Sequence, residues 1–297
     1  MIPTRNRCNL LRMSINSVTK QTCADWELIV VNDASDDETQ SFLGRLKDER
    51  IEVIHLKECK ERSNARNQGL VAAQGEWILF LEDDDCLPED ALDRHLSAFE
   101  KYKNSVCSIG SYTSFDPSSK QRVDRIVTKP FSHNIVWDIF FGWTAAPGQC
   151  MFRTQAVKKI GGWNPNVIVE EERELLLRLL KGDGLVALMP EVVLFKRSRN
   201  GGLCDHKRDE FLRGQICREA MKRLTGRDQI LAGKILKARQ HYFCANEHYE
   251  HHKFGEALRL YIRALGEAPE LIRLPLSRKP LLSAIVKSCL GNLGIDL

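Results

Sequence analysis

Short apolar runs alternate with stretches of helical periodicity through the first half of the chain. The runs within 27–32, 51–55, 77–81 and 106–111 predict strands; that at 77–81 is short and bounded by Gly75 and Pro88, as a buried strand and not a helix would be. Helical spacing of apolar positions fills the intervals at 10–20, 37–47, 64–73 and 89–102. Repeated strand–helix units predict an α/β fold, with parallel strands joined by right-handed crossovers.

Residues 111–152 are less regular and richer in aromatic residues, Pro and Gly, as expected of a region that surrounds a second substrate. A helix follows at 171–180, then strand signals at 185–188 and 192–196. Beyond Asn200-Gly201-Gly202 every pattern is helical, which places a boundary near Cys204 and divides the chain into an α/β domain, 1–204, and a helical region, 205–297. In that region Ala245, Phe254, Ala257, Tyr261, Ala264 and Pro269 follow the spacing of one tetratricopeptide-like helix pair near 238–270. Such repeats need about three units to stand alone, so a helix pair packed on the first domain is the expectation over a peptide-binding array.

Composition narrows the class. At 297 residues with 43% hydrophobic and 28% charged positions, the chain can bury a sizeable core. The net charge of +4 is too small to point to nucleic acid, and no nucleic-acid partner is expected. No apolar run reaches the roughly 18–20 residues that cross a bilayer, and the start has no signal-peptide core, so a cytoplasmic location is expected. The ten cysteines form no CxxC pair, which fits reduced, mostly buried thiols better than a disulfide framework or a zinc site.

The candidate chemistry sits where the apolar run Trp77-Ile78-Leu79-Phe80-Leu81 meets Glu82-Asp83-Asp84-Asp85. Four carboxylates at a strand end repel one another and lose hydration, and a divalent cation is the usual compensation. Mg²⁺ or Mn²⁺ takes hard oxygen ligands and keeps phosphate oxygens in its shell. Ligands of open α/β sheets lie beyond the carboxyl ends of strands, so the cluster predicts a metal–phosphate site.

An ordered series of motifs extends this. Pro3-Thr4-Arg5-Asn6-Arg7, Trp26 to Thr39 with Asn32-Asp33-Ala34-Ser35-Asp36, Ala65-Arg66-Asn67-Gln68-Gly69, Gly75 to Asp85, and Gly161-Gly162-Trp163 together resemble family 2 glycosyltransferases of the GT-A fold. The resemblance covers about two-thirds of the chain, from Ile2 to Arg199. It implies a Rossmann-like mixed sheet flanked by helices, and transfer of a sugar from a nucleotide-diphosphate donor, usually a UDP-sugar, with inversion at the anomeric carbon. Surface polysaccharide or glycoconjugate synthesis is the expected setting, and the acceptor would be a glycan or a lipid-linked glycan.

The resemblance also implies roles. Pro3, Thr4 and Arg7 would line the donor site, and Asp33 would accept a hydrogen bond from the base, its alternative being a turn or helix cap. Arg66 would lie near the donor phosphates, its alternative being a solvated surface residue. Of the acidic cluster, Asp84 would ligate the metal with support from Asp85, while Glu82 and Asp83 would face the donor; Glu82 stands where the family has Asp. Glu172 would be the general base and Glu171 its partner, again with Glu in place of Asp. Arg197 and Arg199 would close over the diphosphate, or form a surface basic turn. Trp137, Phe140, Phe141 and Trp143 would stack on sugar faces or fill the core.

Family members have several apolar residues before the Ile-Pro-Thr segment. Met1 stands directly before Ile2-Pro3 here, so the expectation is a natural start farther upstream. Two rival functions stay open: a catalytically inactive binding or scaffold protein that keeps the fold, and a nucleotidyltransferase. The second would carry a Gly-rich phosphate loop, and residues 3–10 contain no glycine. Basic and apolar residues alternate in the tail, from Arg263 through Leu274, Arg278 and Lys279 to Leu290. That composition suits either an anionic membrane surface at the cytoplasmic face or ordinary helix packing.

Overall fold

A computed structural model describes residues 1–115, 122–125, 145–168, 170–180, 185–197 and 226–267, with isolated positions at 139, 216, 286, 287 and 290. The chain divides into two compact units, Met1–Lys129 with Thr144–Asp209, and Pro130–Trp143 with Glu210–Leu297.

Three parallel strands begin the first unit. β1 (Ile2–Thr4) pairs with β2 (Leu28–Asn32), and β2 with β3 (Ile51–His55), placing Ile2 beside Val30 and Val30 beside Val53. Every residue of β1 and β2 is buried, as continuous apolar runs require. Met1 carries the pairing onward: its nitrogen donates to Leu79 O at 2.7 Å, and its carbonyl accepts from Leu81 N at 3.0 Å. Those bonds lead to β4 (Trp77–Leu79) and a second sheet.

The second sheet is mixed, as the family resemblance implied, where the strand–helix alternation alone predicted parallel pairing. β7 (Cys150–Arg153) inserts antiparallel between β4 and β5 (Ser105–Phe115). Further along, β5 pairs antiparallel with β6 (Arg122–Arg125) and parallel with β8 (Leu185–Arg197). Four residues of Cys-Met-Phe-Arg offer no alternation to read, which is why β7 lies unannounced inside the irregular region. The two strand signals near 185–196 are one strand. Register shifts around Ile109 and Ser111 absorb Pro190, whose carbonyl accepts the Ser111 hydroxyl at 2.7 Å.

The helices are α1 (Cys8–Thr19), α2 (Thr39–Leu43), α3 (Glu61–Ala72), α4 (Ala91–Lys101), α5 (Thr154–Lys159) and α6 (Glu171–Leu179). α2 stops well short of the predicted 37–47, at Gly44. Trp77 stacks on Phe99 with ring centroids 3.7 Å apart, and the Arg153 guanidinium covers the Trp77 ring. Three of the seven described cysteines, Cys8, Cys107 and Cys150, are buried, fewer than the sequence suggested.

In the second unit α7 (Gly226–Glu250) and α8 (Phe254–Glu267) form an antiparallel hairpin. Lys237 pairs with Glu267, Asn246 accepts the Tyr261 hydroxyl at 2.6 Å, and His248 meets Glu256 at 2.9 Å. Ala245, Ala257, Tyr261 and Ala264 are fully buried where the two helices touch. No helix among the described residues is long and apolar enough to cross a membrane. Trp137, Phe140, Phe141 and Trp143 lie outside the described residues, as does most of the tail beyond Glu267.

Candidate active site

The acidic turn follows β4 after Phe80 and Leu81. Asp85 N donates to Glu82 O at 3.2 Å, so the four acids fold into a turn and point in different directions. Ser14, buried on α1, fastens that turn by donating to Asp85 O at 2.6 Å. The far end of β8 closes it from the other side. Cys86 and Phe195 exchange backbone bonds, Arg197 N donates to an Asp85 carboxylate oxygen at 2.9 Å, and Arg197 Nε reaches Asp84 O at 3.3 Å.

Each acid acquires a distinct electrostatic environment. Asp83 accepts from Thr4 Oγ1 at 2.9 Å and from Arg7 at 2.8 Å, yet burial outweighs both and raises its carboxyl above the usual range. Burial works against the Arg7 charge too, but Asp83, with Asp84 at 3.7 Å, more than offsets it. Asp85 is pushed up to about 7, first by burial and then by Asp84 and Glu82, against the relief from Arg197 N–H. Glu82 stays below its ordinary value: burial opposes its charge, but Arg66 prevails. Asp84, its side chain 12% exposed, lies between Arg7 and the Arg197 loop.

The loops after β1, β2 and β3 converge beside this turn. Asn6 donates its backbone N–H to Ser35 Oγ and accepts Asp36 N at 2.9 Å, while Asn32 bridges Ser35 N and His55. Asp33 is buried, and its carboxylate accepts Lys60 N at 2.7 Å and Glu61 N at 3.1 Å, with the Cys59 thiol at 3.4 Å. Asp33 therefore caps the start of α3 across the sheet. Glu61 takes a left-handed backbone, φ 66°, at that junction. Asp37, accepting Thr39 N at 2.9 Å, serves the start of α2.

Two consecutive residues of α3 tie the glycine-rich segment to this edge. Asn67 Oδ1 accepts Trp163 N, and its Nδ2 donates to Trp163 O. Gly162 makes the approach possible: its φ is +71°, and a Cβ there would sit 2.4 Å from Asn67 Oδ1. Arg66 lies with its guanidinium carbon 4.4 Å from the centre of the Trp163 ring, and Phe80 meets that ring edge-on. It is 1% exposed, so it is no solvated surface residue. One nitrogen donates to Glu171 at 3.1 Å and the other to Glu82.

Glu171 opens α6, after Glu170 in a left-handed conformation, φ 58°. It is buried and receives Arg66 and, at 3.5 Å, Arg62. The next residue, Glu172, keeps partial exposure. Burial first, and then the charges of Glu171 and Glu170, push its carboxyl up to about 7 against the pull of Arg66.

The structure thus gathers Thr4, Arg7, Asp33, Arg66, Glu82, Asp83, Asp84, Asp85, Glu171 and Arg197 into one hydrogen-bonded edge, with Glu172 following Glu171; Arg199 lies outside the described residues. Pro3 and Thr4 are both buried in β1, beside Val31 and Asn32. Sequence reasoning missed Ser14 and Asn67. Ser14 gives a readable signal, a hydroxyl on the buried stripe of α1 with Leu11, Ile15 and Val18; Asn67 stands in one of the motifs that carry the resemblance, but its partner is legible only in the fold.

The chain resembles known proteins. It is 36% identical over 96 residues to the putative teichuronic acid biosynthesis glycosyltransferase TuaG of Bacillus subtilis, covering 32% of this chain and 38% of that one. Over 112 residues it is 35% identical to the Escherichia coli UDP-Glc:alpha-D-GlcNAc-diphosphoundecaprenol beta-1,3-glucosyltransferase WfgD, covering 38% and 44%. A PGL/p-HBAD biosynthesis glycosyltransferase of Mycobacterium bovis is 29% identical over 222 residues, covering 72% of this chain and 81% of the relative. The chain thus spans under half the length of the first two relatives.

Among solved structures, Staphylococcus aureus TarS 1–349 in complex with UDP-GlcNAc superposes with a TM-score of 0.65 at 15% identity, covering 97% of this chain and 87% of that one. The mannosyltransferase PcManGT of Pyrobaculum calidifontis, in complex with GDP-Man and Mn²⁺, gives 0.62 at 16%, covering 98% and 85%. Both show the fold, GT-A, that the motif order implied. The model of glycosyl transferase family 2 matches residues 1–161, more than half of the sequence, and the chain belongs to that family.

Proposed function

We propose that this protein transfers a sugar from a nucleotide-diphosphate donor, a UDP-sugar in the first instance, to a hydroxyl of a surface-glycan or lipid-linked acceptor, with inversion at the anomeric carbon. One observation carries the reading. The acidic turn and the acid-rich start of α6 meet through a single side chain, Arg66, which touches Glu82 and Glu171. A donor-diphosphate site and a proton acceptor are thereby neighbours, as group transfer requires.

A hard divalent cation suits the charge of the turn. Asp85 is held near neutrality by burial beside Asp84 and Glu82, an electrostatic deficit that a cation relieves. Among the described residues no group of three His, Cys, Asp or Glu side chains is placed to hold a metal ion; Mg²⁺ or Mn²⁺ at such a site keeps phosphate oxygens in its shell. Asp84 and Asp85 would hold Mg²⁺ or Mn²⁺, which when bound supplies positive charge for the departing diphosphate.

The chain's own residues do the rest. Thr4 and Arg7 orient Asp83, and Arg197 secures the turn from β8. Asp33 holds the start of α3 while its carboxylate, with about four acceptor sites, keeps room for a base N–H. Glu172 takes the proton of the attacking hydroxyl; a carboxyl near 7 is poised to accept it at neutral pH. Fully ionised at the reference value it would be a weaker base.

The test is nucleotide release and product formation over a panel of UDP- and GDP-sugars with Mn²⁺, comparing wild type with Asp84→Ala and Glu172→Gln. Turnover lost in both variants supports the reading. A wild type that binds nucleotide but turns over no sugar nucleotide supports the scaffold alternative, which the cationic partners already filling the turn, Arg7 and Arg66, favour. Peripheral membrane contact through the tail, at the cytoplasmic face, belongs to the same proposal and is read by flotation with anionic liposomes.

A further inference from the structure

We propose that Arg66 is a positioning residue that fixes the catalytic helix α6 against the donor turn, and that it is not itself a ligand of the donor phosphates. The inference rests on the functional reading above.

The geometry leaves Arg66 little else to do. A guanidinium offers five N–H donors in a rigid planar fork. Here one arm is spent on Glu171 at 3.1 Å and the other on Glu82, and the flat face lies on Trp163 at 4.4 Å. The side chain is 1% exposed, and Nε has no hydrogen-bond partner among the described residues. Because the side chain is buried, a phosphate could meet its remaining N–H groups only if Arg66 left its place between the two carboxylates.

The partners reach opposite parts of the site. Glu82 belongs to the turn after β4; Glu171 begins α6 immediately before the proposed base. Without a cation between them these two carboxylates would repel, and α6 would move away from the turn. Arg66 is itself held in place: Trp163, against which it lies, is clamped by Asn67 on the same helix. Arg62, one turn earlier on α3, adds a weaker contact to Glu171 at 3.5 Å. The fork matters as well as the charge, since a single ammonium cannot span both carboxylates in one plane.

Arg66→Lys, with Arg66→Gln as a second variant that removes the charge and keeps a hydrogen-bonding side chain, tests this. Binding of UDP and of GDP with Mn²⁺ is measured by calorimetry, and the Glu172 carboxyl is titrated by NMR in the unliganded protein. Glu172 is faced by Glu171 and Glu170 on its own segment and by Arg66 of α3, with Arg62 on Glu171 behind. A positioning role predicts nucleotide affinity within about threefold of wild type, a Glu172 midpoint displaced upward in the variant that lacks the cation, and turnover lowered about 10- to 100-fold in kcat with little change in donor KM. Nucleotide affinity weakened about tenfold or more with Glu172 unmoved would overturn it, as a phosphate ligand behaves that way. Glu172→Gln in the same assays separates the readings: turnover that survives it rejects the base assignment and leaves the Arg66 result standing on binding and titration alone.

Discussion

Asn67 grips Trp163 by both ends of its amide, Oδ1 accepting from the backbone N–H and Nδ2 donating to the carbonyl, each at 2.8 Å and across 96 residues of sequence. Two motifs far apart in the chain are thereby one structural unit, which seats the indole under Arg66.

Asn67→Ala removes both bonds and strands a Trp163 N–H in the interior. Unfolding in urea should show a loss of about 2–4 kcal/mol. Gly162→Ala attacks the same junction, because it forces a side chain onto a +71° φ and into Asn67 Oδ1. A loss of about 2 kcal/mol or more is expected.

As the proposed base, Glu172 must be ionised to accept a proton. Its carboxyl is pushed up to about 7, so kcat should rise with pH through about 7 and level above it. A pH–rate profile under saturating donor checks this. Glu172→Gln should abolish turnover at every pH while leaving nucleotide affinity within about threefold.

Asp85 gives a stability signature with a defined sign. Its folded-state value of about 7 lies above an unfolded reference near 3.9. The native state therefore holds the proton more tightly, and stability falls as pH rises from about 4 to about 7. Asp85→Asn keeps the acceptor for Arg197 N and removes the charge, so in metal-free protein it should match wild type near pH 4 and exceed it above pH 7, by an amount on the order of a few kcal/mol. Thermal melts across pH read the difference; equal melting temperatures at pH 8 would count against this account.

Asp33→Ala should cost about 1–2 kcal/mol, since it uncaps α3 at Lys60 N and Glu61 N. Asp33→Asn keeps one carbonyl acceptor and should recover part of that stability. If Asp33 also reads the base, UDP affinity falls in both variants.

Mn²⁺ should raise the melting temperature, and more so with UDP present, because ligands of the native state stabilise by mass action. Asp84→Ala should remove the Mn²⁺ effect, and a chelator should reverse it in wild type. An equal shift in Asp84→Ala would place the metal elsewhere.

The sequence by itself determined the strand-end location of the chemistry. Continuous apolar runs at 28–31 and 77–81 mark buried strands, and polar residues that follow them, Asn32-Asp33 and Glu82 to Asp85, must lie at their carboxyl ends. The ordered motifs named the family for the same reason: each is a local solution to a local backbone problem. Tertiary structure alone decided the partners. No periodicity reports that Arg66 is buried between Glu82 and Glu171, that Asp33 caps a helix 28 residues away, or that β7 enters the sheet antiparallel. Local pattern fixes which face a residue shows. Which charge meets it there depends on how distant segments cross, and that is set by packing the whole core.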